Sequence, residues 1–151
     1  MRIGTLALLV CALGACGPST SDFDGTWIIP DGGGTETLGC PGATSTTSTL
    51  TGEILIVQGS GPNVFNSSTI VADINGISET FTLSNGTTAA LQSGTNTFPL
   101  EGDGGVLQTL TLTSDNIVVN GSSMSETASG TVASSSGTCT FSRTISATQG
   151  Q

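Results

Sequence analysis

Asn-Gly occurs three times in this chain, at 75–76, 85–86 and 120–121. Between apolar runs this dipeptide is the strongest short-range signal for a tight hairpin, because both residues tolerate the positive φ that a two-residue turn demands. The runs beside it alternate. Ile77, Phe81 and Leu83 share one face of a segment whose other face is Ser78, Thr80 and Thr82. Val106, Leu110 and Leu112 likewise alternate with Thr109, Thr111 and Thr113. Period two is the signature of a strand with one buried face. Strong helix formers are scarce, with two Arg, two Met and no Lys, whereas the β-formers Thr, Val and Ile recur throughout. The chain therefore reads as all-β.

The expected strands span residues 25–29, 50–58, 64–74, 77–83, 87–91, 97–101, 106–113, 116–119, 122–132 and 138–147. Pro30 is expected to stop the first, and 31–49 to form a Gly/Ser/Thr-rich loop around Cys40. Eight to ten strands with frequent turn signals fit a single antiparallel up-and-down β-barrel of about eight strands, with a β-sandwich as the alternative.

The N-terminus has a different character. Met1-Arg2 is followed by the apolar segment 3–13, about half the roughly 20 residues needed to span a bilayer as a helix. A charged start, a short apolar stretch and small residues describe a secretory signal peptide. The segment ends in Leu13-Gly14-Ala15-Cys16, which resembles the lipobox of bacterial lipoproteins. That resemblance implies cleavage after Ala15, a diacylglycerol thioether on Cys16 and acylation of its amino group. The expected organisation is a signal peptide over 1–15, a lipidated cysteine and tether over 16–22, and a β domain over 23–151. Several acyl chains anchor far better than one, since each buried CH₂ contributes about 0.8 kcal/mol. Gly17 after the cysteine resembles the outer-membrane sorting default, which implies the outer membrane of the cell envelope.

Charge removes whole classes of function. Asp and Glu number 11 against two Arg, and Arg2 leaves with the signal peptide, so Arg143 is the one basic side chain of residues 16–151. Nucleic acid as a partner is excluded, because binding it needs several Lys or Arg on phosphates. There is no His and no Tyr. Ser-His-Asp, Cys-His and Ser-Lys machinery cannot be assembled; composition leaves a glycosidase-like carboxylate pair open, but no spacing suggests one, so no catalytic residue and no cofactor is expected. A structural zinc site is not expected either, without His or a CxxC pair. The acidic loops Asp22-Phe23-Asp24-Gly25 and Glu101-Gly102-Asp103-Gly104 lack EF-hand spacing and read as solvated turns before calcium sites.

Four cysteines are present. With Cys11 removed and Cys16 lipidated, Cys40 and Cys139 remain, in an oxidising compartment where pairing is expected. Two free buried thiols are the alternative.

In the last expected strand Cys139, Phe141, Arg143 and Ile145 fall on one face, so the lone arginine points to the apolar side. Trp27 is the single tryptophan and lies in the first strand. If a barrel closes, first and last strands are neighbours, and Arg143 is expected over the indole of Trp27. Gly25-Thr26-Trp27 together with Arg143 resembles the lipocalin-like and avidin-like barrels, which pair a Gly-x-Trp on the first strand with an arginine on the last. The plainer alternative makes Trp27 a core anchor and Arg143 an edge residue. A buried arginine needs an acceptor, and Glu79, on the face of Ile77 and Phe81, has the right parity.

Two functions stay open. One is a binding module for a small apolar ligand or a protein partner, with Phe65, Phe81, Phe98 and Phe141 as the candidate lining. The other is a structural or surface-display lipoprotein filled by its own side chains. Five Phe and one Trp offer few large side chains to build a specific pocket.

Overall fold

The computed structural model describes residues 22–58, 69–74, 76–92, 96–101, 107–135 and 137–150. The expected signal segment, Cys16, Phe65, Asn75 and Gly102-Asp103-Gly104 lie outside these residues. Among the described residues nine strands form one antiparallel sheet. They are β1 (Gly25–Gly39), β2 (Thr46–Gln58), β3 (Thr69–Ile74), β4 (Ile77–Asn85), β5 (Thr88–Leu91), β6 (Thr97–Glu101), β7 (Leu107–Asn120), β8 (Ser123–Ser134) and β9 (Gly137–Gln149).

Each strand pairs with the next in sequence except β5 with β6, and two further pairings close the sheet. β1 pairs with β9, joining first strand to last. β7 carries β6 along its first half, through Leu107–Thr111, and β5 along its second, through Asn116–Val118. Eight strands thus return on themselves in a barrel-like ring, with β6 lying end to end with β5 on one edge of β7. A single continuous sheet of this kind is the expected up-and-down arrangement and not a two-sheet sandwich.

Two expected breaks are bridged. β1 runs through Pro30 because the ladder shifts register there on both of its neighbours, between Ile29 and Gly34 toward β2 and between Ile28 and Gly34 toward β9. A proline inside such a bulge removes no ladder hydrogen bond. The loop expected over 31–49 is therefore largely strand, supplying the second half of β1 and the start of β2. The expected strands at 106–113 and 116–119 are one strand, β7, with a bulge between Leu112 and Ser114. The extra residue resets the alternation: Leu110 and Leu112 face inward before it, and Asp115, Ile117 and Val119 after it.

The turns follow the Asn-Gly positions with one adjustment. Asn85 pairs with Thr88 and Asn120 with Ser123, so the connecting pairs are Gly86-Thr87 and Gly121-Ser122. Each asparagine is the last residue of its strand. The Asn85 side chain accepts from the Thr87 amide (2.9 Å) and hydroxyl (3.1 Å), an Asx turn that caps the hairpin. Gly121 has φ 59°, a conformation other residues rarely adopt. Beside the β7 bulge, Gly130 lets two backbones approach; a Cβ there would run into the Thr111 carbonyl oxygen.

Inside the ring are two apolar clusters. The larger holds Phe23, Trp27, Ile54, Ile56, Ile70, Ile74, Phe81, Ile117 and Ile145 with smaller neighbours. The second holds Leu110, Leu112, Ala128, Val132 and Phe141, with Leu38, Ile77, Phe98 and Leu100 packed on it. The outward face is rich in hydroxyls, some bonded across strands, as Thr35 to Thr144 (2.8 Å) and Ser114 to Ser129 (2.9 Å).

Candidate functional site: a buried ionic belt

Between the two clusters lies a layer of charge. On β4 Glu79 sits between Ile77 and Phe81; on β7 Asp115 follows the bulge; on β8 Glu126 sits between Met124 and Ala128; on β9 Arg143 sits between Phe141 and Ile145. In every case one flanking residue belongs to one apolar cluster and the other to the second. All four charged side chains are at most 1% exposed. Period two delivers each of them inward, because each occupies the parity of its strand's apolar residues.

Arg143 binds all three acids. Its Nε donates to Glu126 Oε1 at 2.8 Å, and its Nη2 donates to Glu79 Oε1 at 2.9 Å and to Asp115 Oδ2 at 3.0 Å. The planar guanidinium can serve several carboxylates at fixed angles, which a lysine ammonium cannot. Glu36 lies one layer over, paired in register with Arg143 across the β1–β9 seam and half-buried. One oxygen of each of Glu79, Asp115 and Glu126, and Nη1 of Arg143, have no hydrogen-bond partner.

One cation faces an excess of buried acid, and ionisation responds. Asp115 is pushed up to about 10, first by burial, then by the neighbouring Glu79 carboxyl and by repulsion from Glu126, against the pull of Arg143. Glu126 is raised by burial, with Arg143 opposing. Glu36 is raised for the same reason, with Arg143 again opposing and Glu79 adding repulsion. Burial disfavours the charged form of Arg143, but Glu126, Glu79 and Asp115 together raise it further still.

The expected acceptor, Glu79, is one of the three partners of Arg143. The expected Trp27–Arg143 stack does not form. Trp27 pairs in register with Gln149, whereas Arg143 pairs with Glu36. Six residues of strand separate Gln149 from Arg143, about 20 Å. Trp27 is instead a core anchor at the other end of the seam, its indole N–H donating to the Phe23 carbonyl at 2.9 Å. Asp115, Glu126 and Glu36 were not singled out from the sequence, although Asp115-x-Ile117-x-Val119 and Met124-x-Glu126-x-Ala128 carry the parity that places them.

Cys40 and Cys139 form the expected disulfide. It lies just beyond the last pairs of the β1–β9 ladder, Leu38 with Phe141 and Gly39 with Thr140, and so staples the seam where the ring closes.

Among the described residues the candidate lining residues Phe81, Phe98 and Phe141 do not gather around one cavity. Phe81 is wholly enclosed in the larger cluster, and Phe98 packs on the second. Phe141 lines a recess of about 220 Å³ at the ring's mouth, with Glu36, Leu38, Ser48, Leu100 and Val132. That is below the roughly 300–1,000 Å³ typical of ligand pockets. A shallow groove of about 450 Å³ near the β7–β8 turn, lined by Pro30, Val118, Ser125, Ser146 and Thr148 among others, opens outward. Among the described residues no group of three or more His, Cys, Asp or Glu side chains is arranged to hold a metal ion.

Compared with protein-family models, with curated proteins and with solved structures, the chain matches none.

Proposed function

We propose that this chain is a lipid-anchored protein of the bacterial cell envelope whose β domain is a non-catalytic structural or display module, filled by its own side chains. The observation that carries the proposal is the occupied interior. Two apolar clusters with an ionic belt between them occupy the inside of the ring, apart from the recess beside Phe141. A carrier of an apolar ligand needs an apolar cavity; here the middle of the ring is charge already bound to charge. The alternative, a carrier or binder of a small apolar ligand, has in its favour the recess beside Phe141. A protein partner would meet the outer, hydroxyl-rich face.

The anchoring half of the proposal rests on Leu13-Gly14-Ala15-Cys16 and the apolar segment before it. Its position fits a short tether, since the six residues between Cys16 and Phe23 reach only about 20 Å and Phe23 is already core. The domain would stand close to the bilayer. Cys16→Ser should move the protein from the membrane fraction to the soluble fraction of fractionated cells, with its fold unchanged by circular dichroism. Retention of the variant in the membrane fraction would overturn the anchor.

A further inference from the structure

We propose that the buried belt is a proton-binding site of the folded protein, in which the Glu79–Asp115 pair holds one proton, carried on Asp115. Three carboxylates surround one guanidinium, all within 3.0 Å of its nitrogens and none open to solvent. Among the described residues no other cation is present to balance them. Glu126 has Nε to itself, whereas Glu79 and Asp115 share the single nitrogen Nη2. Two ionised carboxylates meeting at one donor repel each other, and both are acceptors only. A proton on one turns repulsion into an O–H···O bond and gives a partner to oxygens that otherwise have none.

The groups facing the pair are Glu36 from β1, Glu126 from β8 and Arg143 from β9. Glu53 of β2 and Asp73 of β3 face outward, and among the described side chains β5 and β6 contribute no titratable group. The raised Asp115, at about 10, agrees with this placement. In the unfolded chain an aspartate titrates near about 4. Between those two values the folded state binds one proton more than the unfolded state. Stability is then greatest at acid pH and falls as pH rises, by a factor of ten in the unfolding equilibrium constant for each pH unit and each such proton. The raised Glu36 and Glu126 act in the same direction.

The test is chemical denaturation of the wild type and Asp115→Asn between about pH 6 and pH 9. The wild type should weaken steadily as pH rises. Asn presents a neutral donor in the same shape, so Asp115→Asn should lose about one proton's worth of that slope, a tenfold smaller change per pH unit. An unchanged slope in the variant overturns the proposal, as does a wild type indifferent to pH. Should the variant fail to fold, the carboxyl ¹³C resonance of Asp115 in labelled wild-type protein decides. A protonated shift at neutral pH supports the site, and an ionised shift there overturns it.

Discussion

Replacing Arg143 with methionine is expected to cost the domain about 3–5 kcal/mol, out of the roughly 5–15 kcal/mol that holds a domain of this size together. The melting temperature should fall on the order of 10–20 °C, or the protein should fail to accumulate. The cause is what the substitution leaves behind more than what it removes. Glu79, Asp115 and Glu126 stay inside the ring, at most 1% exposed, without the guanidinium that binds each at 2.8–3.0 Å. Unpaired buried carboxylates must either protonate or be hydrated by partial unfolding. Arg143→Lys should do little better, since an ammonium cannot reach both the Nε and the Nη2 positions at once. The quadruple variant Arg143→Met, Glu79→Gln, Asp115→Asn, Glu126→Gln should recover part of the loss, because breaking a buried ion cluster costs more than neutralising it whole. Denaturant midpoints measure all three. Wild-type stability in Arg143→Met would mean that the belt is not buried as described.

The second large effect belongs to the disulfide. Cys40 and Cys139 are 99 residues apart in sequence, and closing a loop near 100 residues is worth up to about 4.7 kcal/mol in the chain-entropy account. Cys40→Ser/Cys139→Ser should lose about 2–5 kcal/mol. Most of that loss arises in the unfolded chain, which gains freedom once the link is cut. The native ladder around it, Leu38 with Phe141 and Gly39 with Thr140, stays in place, so circular dichroism should be unchanged while the denaturation midpoint drops. A midpoint equal to that of the wild type would show that the link contributes nothing to the seam.

Alternation alone carried much of this architecture. Thr97–Glu101 is a strand at its expected bounds, and the parity of Cys139, Phe141, Arg143 and Ile145 does send Arg143 inward to Glu79. The two false breaks share a physical origin. A bulge adds one residue, and nothing local marks it. Ser114-Asp115 reads as a break between strands until β8 is seen to pair across it. Pro30 reads as a stop until the register shift in β1 is known. The remaining acids were illegible for another reason. A lone Glu or Asp on an apolar face is usually solvated at an edge; what buries Glu126 and Asp115 is convergence on Arg143 from 17 and 28 residues away. The Trp27–Arg143 pair failed because strand adjacency was inferred correctly but register was not. β1 does meet β9, with Trp27 opposite Gln149.

The central claim is that the ring is filled by the protein's own side chains and carries nothing. Native mass spectrometry of the Cys16→Ser protein, purified from the periplasm without added ligand, tests it most directly. The account predicts the mass of the polypeptide alone, with its one disulfide, before and after denaturation. A stoichiometric adduct that is present in the folded protein and lost on unfolding would contradict it, and its mass would identify the ligand that a carrier holds.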